Sequence, residues 1–188
     1  GADAATVGRD LDGVQVAAYL LHHEFDDFIK ELLRHYREAD IPLFRFFKDV
    51  SSDQIAAITA ASNRELLTLL ASNQVRRYID QTLENWLKNQ LPVISREQIH
   101  STDITLVNFA RAQTFRRFIS DYTDSMPMFR QLVEEIDRFF LILNSELFTA
   151  YIGLQQAEIN TMNKALETRE KQLLEAQEIG RIGSFEWE

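Results

Sequence analysis

The chain has 188 residues, 45% apolar and 26% charged, with six glycines and three prolines. That composition is globular, neither disordered nor fibrous. It contains no cysteine, which excludes disulfide staples, thiolate-bound zinc, iron–sulfur clusters and a thiol nucleophile. Twenty-nine acidic residues against twenty basic ones give a net charge of −9, the opposite of the basic surplus of a phosphate-backbone binder, so no nucleic-acid partner is expected.

Gly1 to Asp12 is small and polar, without a hydrophobic signal core, and residues 1–13 are expected to be a disordered or tag-derived N-terminus. The missing initiator Met suggests a trimmed or engineered start. No apolar run approaches the roughly 18 residues that span a bilayer, so no membrane partner is expected and a cytoplasmic location is. Between Val14 and Ile152 there is no glycine. Hairpins and phosphate-cradling loops rely on glycine for positive φ, so this stretch predicts helices joined by tight polar turns.

Val14 to Ala39 reads as one helix, with Val16, Tyr19, Leu20, His23, Phe28, Leu32 and Tyr36 at spacings of three to five. Ile41 to Val50 reads as a short aromatic turn of helix. Ser51-Ser52-Asp53-Gln54 is a capping box that opens helical sequence to about Gln90, with a break near Ser72-Asn73, and Pro92 closes it. Ser95-Arg96-Glu97-Gln98 is a second capping box and opens a helix to about Tyr122. Asp124-Ser125-Met126-Pro127 is a third start signal, with Pro127 tolerated in the first turn.

From Pro127 to Gln177 no breaker intervenes except Gly153, which need not stop a helix. About 50 residues at 1.5 Å each make roughly 75 Å, longer than the side of such a globule, so the second half is expected to project. There Ile152, Ile159, Leu166 and Leu173 recur every seven residues, with Gln155, Met162, Arg169 and Ala176 at the intervening positions. A seven-residue repeat suits a supercoiled partner, usually an identical helix, and the polar intervening positions make the coil marginal, fit to shift register. The competing expectation is a solvated single helix.

Two segments carry a resemblance. Glu135-Ile136-Asp137-Arg138-Phe139-Phe140-Leu141-Ile142-Leu143-Asn144-Ser145-Glu146-Leu147-Phe148-Thr149-Ala150-Tyr151 resembles the last helix of the N-terminal domain of stressosome RsbR-type proteins, with its I-D-R-F-F, N-x-E-x-F and following Tyr. The resemblance implies an all-α, globin-like fold without haem, dimeric, whose final helix leads into an output domain. The tail from Ala176 to Glu188 is similar to the entry of a PAS domain, with Gly183, Phe185 and Trp187 in the places of its turn and aromatic pair; Phe185-Glu186-Trp187 alternates as a strand does. The domains implied are a globin-like sensor domain over 14–151, a signalling helix over 152–179 and the start of a PAS domain over 180–188. That series is similar to the front of a sensor histidine kinase of a two-component system; diguanylate cyclases share it.

The residues themselves offer little chemistry. Haem needs an imidazole facing iron from an apolar pocket, but His22, His23 and His35 lie on the first helix and His100 in a polar helix start. His23-Glu24-Phe25 resembles part of a phosphoacceptor box, yet Asp26 and Asp27 follow, which would repel a phosphate. Glu24, Asp26 and Asp27 face different ways on a helix, and Glu134, Glu135 and Asp137 suit the start of a helix dipole, so no metal site is read from them. No nucleophile–base pair or Gly-rich phosphate loop is found, and neither an enzyme nor a cofactor is expected. Phe139, Phe140 and Phe148 are core packing or the lining of a pocket; Asp137, Arg138, Asn144, Glu146 and Tyr151 are candidates for that pocket or a dimer face. Ile152, Ile159, Met162, Leu166 and Leu173 are candidates for the coil. The expected function is a sensor that passes a conformational change through a dimeric helix to a PAS or kinase output in cis. The alternative is a dimerisation or docking module that senses nothing.

Overall fold

The computed structural model describes residues 11–41, 49–90 and 101–186, and every regular element among them is helical. The fold is all-α. Helix α1 spans Val16–His23 and α2 spans Phe25–Glu38, where the sequence predicts one helix. At Glu24 the backbone leaves the helical region (φ −131°, ψ 16°) while the Phe28 N–H still bonds the Glu24 carbonyl at 2.8 Å. Leu20 and Phe28 are both fully buried. Eight residues apart, they would stand about 80° apart around a straight helix at 100° per residue. Across the bend the main partner changes: α1 lies chiefly against α3 (Ser52–Ala71), and α2 chiefly against α5 (Ser101–Tyr122). The aromatic turn expected over Ile41 to Val50 falls mostly outside the described residues, as does the capping box at Ser95.

Helix α3 starts as its sequence predicts. The Gln54 N–H donates to Ser51 Oγ at 3.2 Å, and the Ser51 N–H donates to Gln54 Oε1 at 3.0 Å. It ends at Ala71 with Ser72 as its C-cap, followed by Asn73 with φ 58°, a left-handed position that Asn tolerates better than most residues. Helix α4 (Val75–Asn85) follows at once and runs into a π turn over Trp86–Gln90.

The α3–α4 turn also fixes the start of the described chain. Val14 N–H donates to the Leu70 carbonyl (3.3 Å) and Val75 N–H to the Asp12 carbonyl (3.1 Å), with Leu11 and Val14 buried. A Cβ on Gly13 would stand 2.2 Å from Asn73 Oδ1 and 3.0 Å from the Leu70 carbonyl. Residues 11–13 are therefore placed by packing and backbone bonds, against the expected disorder of 1–13. Residues 1–10 lie outside the described residues.

Helix α6 is the longest, Met126–Glu186, starting beside Ser125, whose Oγ accepts the Met128 N–H at 3.4 Å. By contacts the chain divides into two units, 1–150 and 151–188. In the first, α6 buries Leu132, Ile136, Phe139, Phe140, Leu143 and Leu147, a stripe at spacings of three and four. Its rings join a chain of edge-on and tilted contacts: Phe28 to Phe115 (5.2 Å), Phe115 to Phe140 (5.8 Å), Phe140 to Phe139 (4.9 Å) and Phe139 to Tyr78 of α4 (5.9 Å). Such pairs add about 0.5–1.5 kcal/mol each beyond the area they bury.

The second unit, described to residue 186, is helix alone. Gly153, Gly180 and Gly183 sit within it, none with positive φ. Helix also runs through Phe185 and Glu186, where the PAS-like reading expects a strand. No strand exists among the described residues to pair with, and a helix closes its own backbone bonds while a lone strand leaves them to water. No helix among the described residues is long and apolar enough to cross a membrane.

Candidate functional site

Among the described residues, three places bear on the residues expected from the sequence or on a buried charge. The first is a groove of about 560 Å³ between α5 and the first half of α6, where Asp137, Phe140 and Asn144 meet Asn108, Phe109 and Arg116 of α5. Asn108, buried on α5, donates from Nδ2 to Asn144 Oδ1 at 2.8 Å. Arg116 donates from its guanidinium to Asp137 Oδ1. Phe109 and Leu141 stand exposed at the rim.

The other residues expected beside Asp137 are dispersed. Phe139 is buried among rings. Arg138 is exposed. Glu146 Oε2 accepts from Arg76 Nη2 of α4 at 2.7 Å, and Arg76 also bonds Asp80 Oδ1 at 2.7 Å. Phe148 is half-buried, and Tyr151 is buried with its hydroxyl accepting from Gln155 Nε2 at 2.7 Å. One helix thus offers these residues to different surroundings: the α5 groove, the ion pair with α4 and the ring core.

The second place is a cavity of about 420 Å³ whose walls include Ser62 and Glu65 of α3, Tyr78 and Gln81 of α4, Trp86 of the π turn and Arg111 of α5. Arg111 Nη1 donates to the Tyr78 hydroxyl and to Asn108 Oδ1, both at 3.4 Å, and Nη2 to Ser62 Oγ at 3.3 Å. Its Nε is shielded from solvent and has no hydrogen-bond partner among the described residues. Burial works against the Arg111 charge, the hydroxyls of Tyr78 and Tyr36 work for it, and the net direction is upward. Burial likewise pushes the Tyr36 phenol up, partly countered by Arg111. The guanidinium is therefore a fixed cation at neutral pH. Arg111 is absent from the expected site. Its signal lies in the register of α5, where 108, 111, 115 and 118 share a face otherwise given to buried residues.

The third place is the apolar seam of the second unit. Ile152, Ile159, Met162, Leu166 and Leu173 are all more than half exposed. Gly180 and Gly183 take the next two positions of the heptad and end it.

Of the histidines, His22 and His23 are exposed and His35 Nε2 lies 3.4 Å from Glu31 Oε1; His100 falls outside the described residues. Comparison with family models, with curated proteins and with solved structures finds no match to this chain.

Proposed function

We propose that this chain is a regulatory sensor and transmitter: a helical domain whose packing responds to a stimulus, and a helix that carries the response to an output module. The single observation that supports this is the division of labour along α6. One helix supplies the central stripe of the first unit's core and, further along, a seven-residue repeat of uncovered apolar side chains. Such a repeat is suited to a second copy of itself, so the active species is a homodimer joined through residues 152–173. The polar residues within the repeat, Gln155 and Arg169, keep two registers within a few kcal/mol, as a switch requires. In this reading the fold is a non-haem globin-like one of the stressosome type. The tail opens a PAS domain, and the whole belongs to a cytoplasmic two-component kinase, with no catalysis in this segment.

The chain lacks cysteine, so a single introduced thiol reports cleanly. Leu166→Cys, on the seam, is expected to cross-link two chains under mild oxidation, while Lys164→Cys, off the seam, is not. A monomer in sedimentation velocity with no cross-link at 166 overturns the dimer. In the protein carrying its output module, deleting four residues within Thr161 to Lys171 breaks the heptad phase; unchanged output and stimulus response overturn the transmitter role. A docking module that senses nothing is favoured by one feature, the exposed Phe109 and Leu141 at the rim of the α5–α6 groove.

A further inference from the structure

Arg111 departs from the pairing of its neighbours. Arg34, Arg76 and Arg116 each hold a carboxylate, at Glu31 and Glu38, at Asp80 and Glu146, and at Asp137. All three are more exposed than Arg111. Among the described residues Arg111 meets neutral partners: the Tyr36 hydroxyl, and Tyr78, Asn108 and Ser62 at 3.3–3.4 Å, near the limit of a hydrogen bond. No described carboxylate forms a salt bridge with Arg111; a shielded cation so placed is costly, and a guanidinium is shaped to take a carboxylate two-pronged. Beside it lies the 420 Å³ cavity, with Trp86 and Tyr78 as ring walls and Ser62 and Gln81 as hydrogen-bonding side chains. The Trp86 wall belongs to a π turn, a local distortion frequent at functional sites.

We propose that this cavity binds a small organic carboxylate, its anion on Arg111 and its apolar body against Trp86 and Tyr78. Exposed Glu65 at the same cavity disfavours multiply charged anions, so the ligand is a monocarboxylate. Binding also has a route to α6. Arg111 donates to Asn108, and Asn108 donates to Asn144 of α6. A carboxylate that draws the guanidinium away from Asn108 changes what holds Asn144.

The site is tested on the whole chain with Trp187→Phe, which leaves Trp86 as the remaining one of two tryptophans. Benzoate is titrated against its fluorescence, with inorganic phosphate as competitor. A saturable change is expected, weakened at least tenfold by Arg111→Lys, which keeps the charge and loses the fork. Gln81→Phe, filling the cavity from its exposed side, is expected to abolish binding without altering the circular dichroism melt, and serves if Arg111→Lys does not fold. No saturable change, equal affinity in Arg111→Lys or in Gln81→Phe, or displacement by phosphate at concentrations equal to benzoate's each overturns the site.

The coupling to α6 rests on the sensor reading and has its own readout. Benzoate is expected to alter the rate of cross-linking at Leu166→Cys at least twofold, and Asn144→Leu to remove that effect while leaving the titration intact. An unaltered rate overturns the coupling; the fluorescence titration alone judges the site.

Discussion

The two halves of helix α6 are made of similar residues and meet opposite fates. Over Leu132 to Leu147 the apolar side chains repeat every three or four residues and are covered; Leu132 and Leu143 have 0% exposure. Over Ile152 to Leu173 they repeat every seven and are bare, with Ile159 at 55%, Leu166 at 58% and Leu173 at 57%. The first spacing makes a stripe wide enough to face several helices of the same chain, as Phe139 faces Tyr78 and Phe140 faces Phe115. The second makes a seam one side chain wide, suited to a single partner helix. Spacing along a helix thus sets how many neighbours it can satisfy.

The contrast breaks most visibly by truncation. Leu143→Ala is expected to lower the unfolding free energy of the first unit by about 3–5 kcal/mol, since a buried leucine loses its transfer energy and leaves a cavity. Leu166→Ala is expected to shift the same transition by less than about 0.5 kcal/mol. Urea unfolding followed by circular dichroism and, in the Trp187→Phe background, by Trp86 fluorescence separates the two. Comparable losses would mean that the seam residues share the core's cooperativity.

Glycine sharpens the comparison with changes of opposite sign. At Gly13 a Cβ would run into Asn73 and the Leu70 carbonyl, so Gly13→Ala is expected to cost about 1–2 kcal/mol. At Gly153 nothing lies within 4 Å of the added Cβ. The residue is helical there, and Gly153→Ala is expected to raise the helix's stability by up to about 1 kcal/mol. Thermal melts at 222 nm measure both. A gain at Gly13 would place Leu11 to Val14 outside the cooperative unit.

What the sequence makes legible follows the range of the interaction. The Ser51–Gln54 cap and the Ser72–Asn73 break are local, and both stand where the sequence places them. The bend at Glu24 is not local: across it the main partner changes from α3 to α5, helices distant in sequence that no residue near Glu24 announces. Asp137, Phe140 and Asn144, pocket or dimer-face candidates in the sequence, line one groove. Their partners Arg116 and Asn108 lie 21 and 36 residues away, and spacing within one helix says nothing of another. The break expected before Phe185 illustrates the converse. Glycine and alternating aromatics are signals of a strand only where a second strand can answer.

Charge repeats the contrast between covered and bare on a smaller scale. Arg34 hydrogen-bonds Glu31 and holds its carboxyl below the usual range, outweighing some burial. An acid so depressed adds stability above its unfolded pKa and loses it as pH falls through the folded one. Glu135 runs the other way: burial raises it, while the Gln15 N–H at 3.1 Å, Gln15 Nε2 at 3.0 Å and the Arg138 charge pull it back only in part. A raised acid holds its proton more tightly in the folded state, so the fold gains as pH falls through the folded pKa of Glu135. That pKa is the higher of the two, so descending from neutral pH the gain from Glu135 comes first and the loss from Glu31 follows at lower pH. Glu135→Gln mimics the protonated carboxyl and keeps an oxygen for Gln15. It is expected to be at least as stable as the parent at pH 7, with the gap closing on acidification, read from urea midpoints at several pH values. A variant markedly weaker at pH 7 would mean that the two Gln15 bonds, not the loss of water, decide the state of that carboxyl.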